Sequence, residues 1–164
     1  MGTVLAIDPG PTRSALVEWD GQQIGITMLA ENLDIVTLLR CSGQRGSDTR
    51  VVIEQVVSYG MTVGAEVFET CVWTGRFIEA FGPDRVDRIP RLRVKIHHCH
   101  AANAKDSNIR QALIDRWGGK ECAIGRKAGP GPLYALKADL WQAFALAVHW
   151  WDTRVARETA RATA

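Results

Sequence analysis

The sequence predicts an α/β fold on a five-stranded mixed sheet, three antiparallel strands followed by two parallel ones, flanked by helices. Three observations predict it. Short apolar runs give way to helical periodicities from Asn32 onward, the first three runs are joined tightly enough to form a meander, and two runs stop on a carboxylate, at Ile7-Asp8 and Ile53-Glu54.

Residues 3–8 (TVLAID) read as a buried strand, 13–20 as a second, and 22–29 as a third after Asp20-Gly21, a hairpin dipeptide. Asn32 can cap a helix running to about Cys41, and residues 42–47 read as a loop. Residues 50–54 (RVVIE) repeat the opening pattern of an apolar run ending on an acid. From 61 to 81, Val63, Val67, Cys71, Phe77, Ile78 and Phe81 give an amphipathic helix that Gly82-Pro83 terminates. Residues 91–97 (RLRVKIH) alternate with period two and read as the fifth strand. Residues 105–117 read as a helix stopped by Gly118-Gly119, 122–132 as a loop, and 137 to about 154 as the last helix.

A length of 164 residues suits one domain spanning 1–164. Hydrophobic residues at 46% and charged residues at 23% place the chain in the soluble globular class and argue against disorder. The net charge of +2 hides a local excess: Arg85, Arg88, Arg91, Arg93 and Lys95 face only Asp87 across their span. Cys41, Cys71, Cys99 and Cys122 form no C-x-x-C pair, and neither a signal peptide nor an apolar run of about 18 residues occurs, so a reduced, cytoplasmic setting away from membranes is expected.

In open α/β sheets ligands gather at the carboxyl ends of strands near a topological switch, which would bring Asp8 and Glu54 into one cleft. Two close carboxylates repel unless a divalent cation bridges them, and hard oxygen ligands select Mg²⁺ or Mn²⁺. Asp139, near the start of the last helix, is a third acid and completes a candidate two-ion site. Each acid also has a plain structural role open to it: Asp8 as a turn residue before Pro9-Gly10, Glu54 as partner of an arginine on a neighbouring element, and Asp139 as a helix-start residue. The run His97-His98-Cys99-His100 is not expected to hold zinc, because adjacent strand residues alternate faces.

Taken together, "AIDPG", "VVIEQVVSYGM", "AKDSNIRQALIDRWG" and "GPLYALKADLWQAFALAV" resemble the phage branch of the RuvC-type Holliday-junction resolvases, in the ribonuclease H-like superfamily. The resemblance covers nearly the whole chain in order. It implies a homodimeric endonuclease that nicks two strands of a four-way DNA junction symmetrically with two Mg²⁺ or Mn²⁺ ions per active site, in the cytoplasm of a bacterium or of a phage host. Asp8 matches the first-strand metal ligand, Glu54 the fourth-strand acid and Asp139 an acid of the last helix. Gln142 stands where the family's pattern has a second helix acid, so either the site is weaker or another carboxylate substitutes, for which Asp106 is the candidate. Lys105 is the nearest match to the family's lysine, and Tyr59 falls in a loop where the family carries a base-stacking aromatic. Contacts to DNA phosphates are expected from Arg45, Arg50, Arg76, Arg88, Arg91, Arg93 and Lys95. Rival readings are a ribonuclease H-like nuclease acting on other branched DNA or on RNA–DNA hybrids, and a non-catalytic junction binder.

Overall fold

The computed structural model describes residues 2–43, 48–58, 60 and 62–162. Strands β1 (Val4–Asp8), β2 (Arg13–Trp19) and β3 (Ile24–Glu31) form an antiparallel meander, and helix α1 (Asn32–Gly43) leads into β4 (Arg50–Gln55). Helix α2 (Ala65–Phe81), a single 3-10 turn at Pro83–Arg85, β5 (Val86–Pro90) and α3 (Arg91–Cys99) follow. The chain continues through α4 (Asp106–Arg116), α5 (Lys120–Ala123), the small hairpin β6 (Gly125–Arg126) and β7 (Gly129–Pro130), and ends on α6 (Leu140–Ala162). The sheet order is β3-β2-β1-β4-β5. β1 pairs antiparallel with β2 and parallel with β4, which in turn pairs parallel with β5, so β1 is the strand at which the sheet changes direction.

The mixed five-stranded sheet is the one expected, but its fifth strand is a different segment. β5 is Val86–Pro90, and residues 91–97 are helical. Pro90, with φ −62° and ψ 140°, ends the strand and serves as the N-cap of α3. The alternation of Leu92, Val94 and Ile96 does not govern burial: Val94 is buried at 1% exposure while Ile96 is 47% exposed. The strand argument applied to the histidines falls with it. His97 and His98 sit on a helix with ring centroids 4.8 Å apart, His98 bonds the Ala145 carbonyl at 2.8 Å, and His97 bonds Asp152 at 2.8 Å. Smaller shifts affect α2, which starts at Ala65, and α6, which starts at Leu140 and runs on to Ala162. Residues 122–132, read as a loop, contain the β6–β7 hairpin.

Two apolar layers sandwich the sheet. Val4, Ala6, Ala15, Val17 and Val52 pack on one side with α6, α4 and α3, while Leu5, Ile7, Leu16, Val51 and Ile53 pack on the other with α1 and α2. α6 is nearly all apolar over its first three turns, and Phe144 is fully buried against Trp19 and Trp117, at centroid distances of 5.2 and 5.4 Å. This aromatic cluster fixes the helix that carries Asp139 and Gln142. Among the described residues no helix is long and apolar enough to cross a membrane.

Phe144→Ala removes the centre of that cluster, and the expected cost is about 3–5 kcal/mol in denaturant unfolding. A loss below about 1 kcal/mol would show that α6 is held elsewhere.

Candidate active site at the carboxyl ends of β1 and β4

Strand alternation decides where the strand-end acids point. On β1, Val4 and Ala6 face α6; on β4, Val52 does. Asp8 and Glu54 lie two residues beyond the last of these positions and so point to the same face. The parallel register pairs Ala6 with Val52 and Ile7 with Ile53, which sets the two carboxylates level on strands roughly 4.8 Å apart.

β5 supplies the third side. Its register matches Glu54 with Ile89 and Gln55 with Pro90, so Arg91 opens α3 directly beside the cleft. Arg91 donates to Glu54 Oε2 at 2.7 Å and also to Asp106 Oδ1 at the start of α4. Lys95, one turn further along α3, adds positive potential at Glu54.

Asp139 precedes α6 and its carbonyl accepts the Gln142 and Ala143 amides at 3.0 and 3.1 Å, as an N-cap residue does. It follows Ala138, whose φ of 44° is left-handed for a residue with a Cβ, a conformation kept only where surrounding structure enforces it. Gln142 lies one turn on, its Oε1 buried without a hydrogen-bond partner.

The turn after Asp8 is tied down by a polar network. The Gly10 amide donates to Ser14 Oγ at 3.2 Å, the Ser14 hydroxyl donates to Asn32 Oδ1 at 2.6 Å, and Asn32 Nδ2 donates to the Gly10 carbonyl at 3.0 Å. Asn32 thus spends its side chain on the Asp8 turn, although its sequence position suggested a helix cap. A Cβ at Gly10 would lie 2.3 Å from the Arg13 carbonyl oxygen, so glycine is required for the chain to fold back this closely.

Burial pushes the Asp8 carboxyl up to about 8, helped by Glu54, Asp139 and Asp106 and opposed by Arg91. Burial also raises Glu54, with the Arg91 guanidinium pulling it back. Four acids therefore act on one another across a single cleft with one guanidinium between two of them. Among the described residues no three acid, imidazole or thiol side chains converge tightly enough to hold an ion as they stand. The acids nonetheless fit a hard divalent cation: the donors are all oxygen, Asp8 is an acid that its surroundings hold protonated, and the Gln142 amide oxygen is an acceptor with no donor.

Asp8, Glu54, Asp139 and Asp106 are thus brought together, and Arg91 and Lys95 belong to the cleft. Arg91 opens a helix and does not sit on the edge strand that the sequence suggested. Lys105 precedes α4, exposed, with its amide bonded to Asn108 Oδ1 at 2.9 Å and its ammonium in no ion pair among the described residues. Arg76 stacks over Trp73, 4.0 Å from its ring, on α2 across the sheet from the acids. Arg50 begins β4, four residues before Glu54, and pairs with Asp87 at 3.4 Å. Arg88 and Arg93 are exposed beside β5. Arg45 and Tyr59 lie outside the described residues. The sequence reading missed the Ser14–Asn32 tie and the bridging position of Arg91, for which the only local signal was Pro90.

Because Asp8 is protonated in the fold up to about pH 8 but ionises near 3.8 when unfolded, its contribution to stability is full below pH 4 and is lost as pH rises toward 8. Asp8→Asn, measured without divalent ions, is expected to be more stable than the parent at pH 8, by roughly 2–5 kcal/mol, with the difference vanishing near pH 4. A pH-independent difference would contradict the burial of this carboxyl.

No family model matches the sequence, and no curated protein matches it. Solved structures do match in three dimensions. The RuvC of Thermus thermophilus in complex with Holliday junction substrate aligns with a TM-score of 0.66 at 16% identity, over 91% of this chain and 92% of that one. Another structure of Thermus thermophilus RuvC gives 0.63 at 16% identity, over 90% and 92%. The chain has the RuvC fold, the ribonuclease H-like α/β architecture that its motifs implied.

Proposed function

We propose that this protein is a divalent-metal-dependent endonuclease that resolves four-way DNA junctions by paired nicks, acting as a homodimer. The observation that carries the reading is the buried, proton-retaining Asp8 at the carboxyl end of the central strand, coupled to Glu54, Asp139 and Asp106. The match of the fold to a RuvC that is bound to a Holliday junction supports the choice of substrate.

Asp8, Glu54, Asp139 and the Gln142 amide oxygen are the groups that would hold Mg²⁺ or Mn²⁺, which would lower the pKa of an attacking water and neutralise the departing 3′ oxygen. The chain's own residues set the geometry: the Ser14–Asn32 tie fixes the turn that aims Asp8, and the aromatic anchor at Phe144 fixes the start of α6. Arg91 holds Glu54 and Asp106 with one guanidinium, and with Lys95 it would offer positive charge to the scissile phosphate. Asp106 is the reserve carboxylate, and Lys105 stands next to it at the cleft rim.

A two-fold substrate cut symmetrically calls for two sites on a two-fold axis. α2 offers the surface: Phe68 at 62% and Val72 at 56% exposure lie one turn apart on its outer face. The loop after β4, with Val56 and Val57 both exposed, leads toward Tyr59 and would enter the junction's centre.

The neutral Gln142 also favours a second reading, a junction binder that does not cut. One experiment separates the readings: a labelled four-way junction, a linear duplex and an RNA–DNA hybrid are incubated with Mg²⁺ or Mn²⁺. Symmetric nicks in the junction alone, reduced at least about 10³-fold in Asp8→Asn, are expected. Tight junction binding with no cleavage establishes the binder, and hybrid cleavage moves the activity to the ribonuclease side. Phe68→Glu is expected to shift the protein from dimer to monomer in light scattering and to uncouple the two nicks; a variant that remains dimeric would remove α2 from the interface.

A further inference from the structure

A groove of about 600 Å³ runs between the edge strand β5 and the C-terminal half of α6, on a part of the molecule that the acid cleft does not use. Arg50, Arg88 and Arg93 line one side and Arg154, Arg157 and Arg161 the other, against only two carboxylates, Asp87 and Glu158. Both carboxylates are already engaged. Asp87 accepts Trp150 Nε1 at 2.7 Å and pairs with Arg50, and Glu158 pairs with Arg154 at 2.9 Å. Among the described residues Arg88, Arg93, Arg157 and Arg161 make no ion pair.

One buried polar atom of the lining points the same way: Arg50 Nε is shielded from solvent without a hydrogen-bond partner, an arrangement that costs free energy unless an acceptor comes to meet it. Spacing says what kind of anion. Arg154, Arg157 and Arg161 recur along one face of α6, and from His149 to Arg161 the helix rises roughly 18 Å, far longer than one phosphate and about the length of five base pairs of duplex. Arginine forks suit phosphate oxygens, and Trp150, the aromatic in the lining, is 7% exposed with its N–H occupied, which leaves no platform for stacking bases. The lining includes Pro90, the residue before Arg91, and Arg50 at the opposite end of β4 from Glu54, but none of the four acids of the cleft.

We infer that this groove is a second nucleic-acid site, which grips the phosphate backbone of a duplex arm leaving the junction, without reading its sequence. The identity of the polyanion rests on the nuclease reading; the groove and its charge do not.

The test uses the full chain with Arg157→Gln/Arg161→Gln and, as the charge-keeping control, Arg157→Lys/Arg161→Lys. Junctions with arms of about 20 base pairs are compared with junctions whose arms, at about 5, are too short to leave the cleft and fill the groove. The Gln pair is expected to weaken long-arm binding about tenfold and to lower the slope of log affinity against log salt by about 2, while short-arm affinity and the cleavage rate at saturating junction stay at parent values. The Lys pair retains most of the affinity. Unchanged long-arm affinity and salt slope, or equal losses on both arm lengths, overturn the proposal. If the parent cuts no DNA but the arm-length effect appears, the groove stands and the nuclease reading falls; if junctions are cut and the Gln pair changes nothing, the groove alone falls.

Discussion

A carboxylate at the end of a buried central strand, level with a second carboxylate on the neighbouring strand, is an electrostatic problem that the rest of this site answers. Desolvation and like charge both oppose ionisation of Asp8, and the fold responds by holding its proton up to about pH 8. Arg91 answers for Glu54 and Asp106 with one guanidinium that donates to both. Such an arrangement gives little net stability, because burying ions costs about what their attraction returns. The proposed function gives it a use, as a place that a divalent cation would fill.

Everything that positions Asp8 is ordinary structural chemistry directed at one spot. Period-two alternation turns Asp8 and Glu54 to the same face, parallel register sets them level, and Pro90 ends β5 where Arg91 can reach Glu54. The Ser14–Asn32 tie holds the turn after Asp8 while an apolar helix seated under Trp19 and Trp117 brings Asp139 and Gln142 to the same edge. Rigid elements on both sides of the sheet thus converge on a cleft whose members come from β1, β4, α3, α4 and the start of α6.

Much of this was legible in the sequence, for identifiable reasons. The first four strands announce themselves by apolar runs with turn dipeptides between them, and an acid closing such a run is unusual enough to mark Asp8 and Glu54. The fifth strand was misplaced because VDRIP is short, carries the charged pair Asp87-Arg88 and ends in proline, while RLRVKIH alternates like a strand over too few residues to reveal its helical burial. That error moved Arg91 to a sheet edge and hid its place between two acids. The Ser14–Asn32 tie joins residues 18 apart through tertiary packing, which no local pattern encodes. The groove of the α6 arginines has no local sequence signal, because its opposite wall, Arg50, Arg88 on β5 and Arg93 on α3, comes from a distant part of the chain.

The central claim of the proposed function is that Asp8 would release its proton to solvent when a divalent cation binds. Proton release on Mn²⁺ binding, measured calorimetrically at pH 7 in buffers of different ionisation enthalpy, tests it most directly. The account predicts release of close to one proton by the parent and none by Asp8→Asn, with binding much weakened in the variant. Mn²⁺ binding by the parent without proton release, or with the same release in Asp8→Asn, would contradict it.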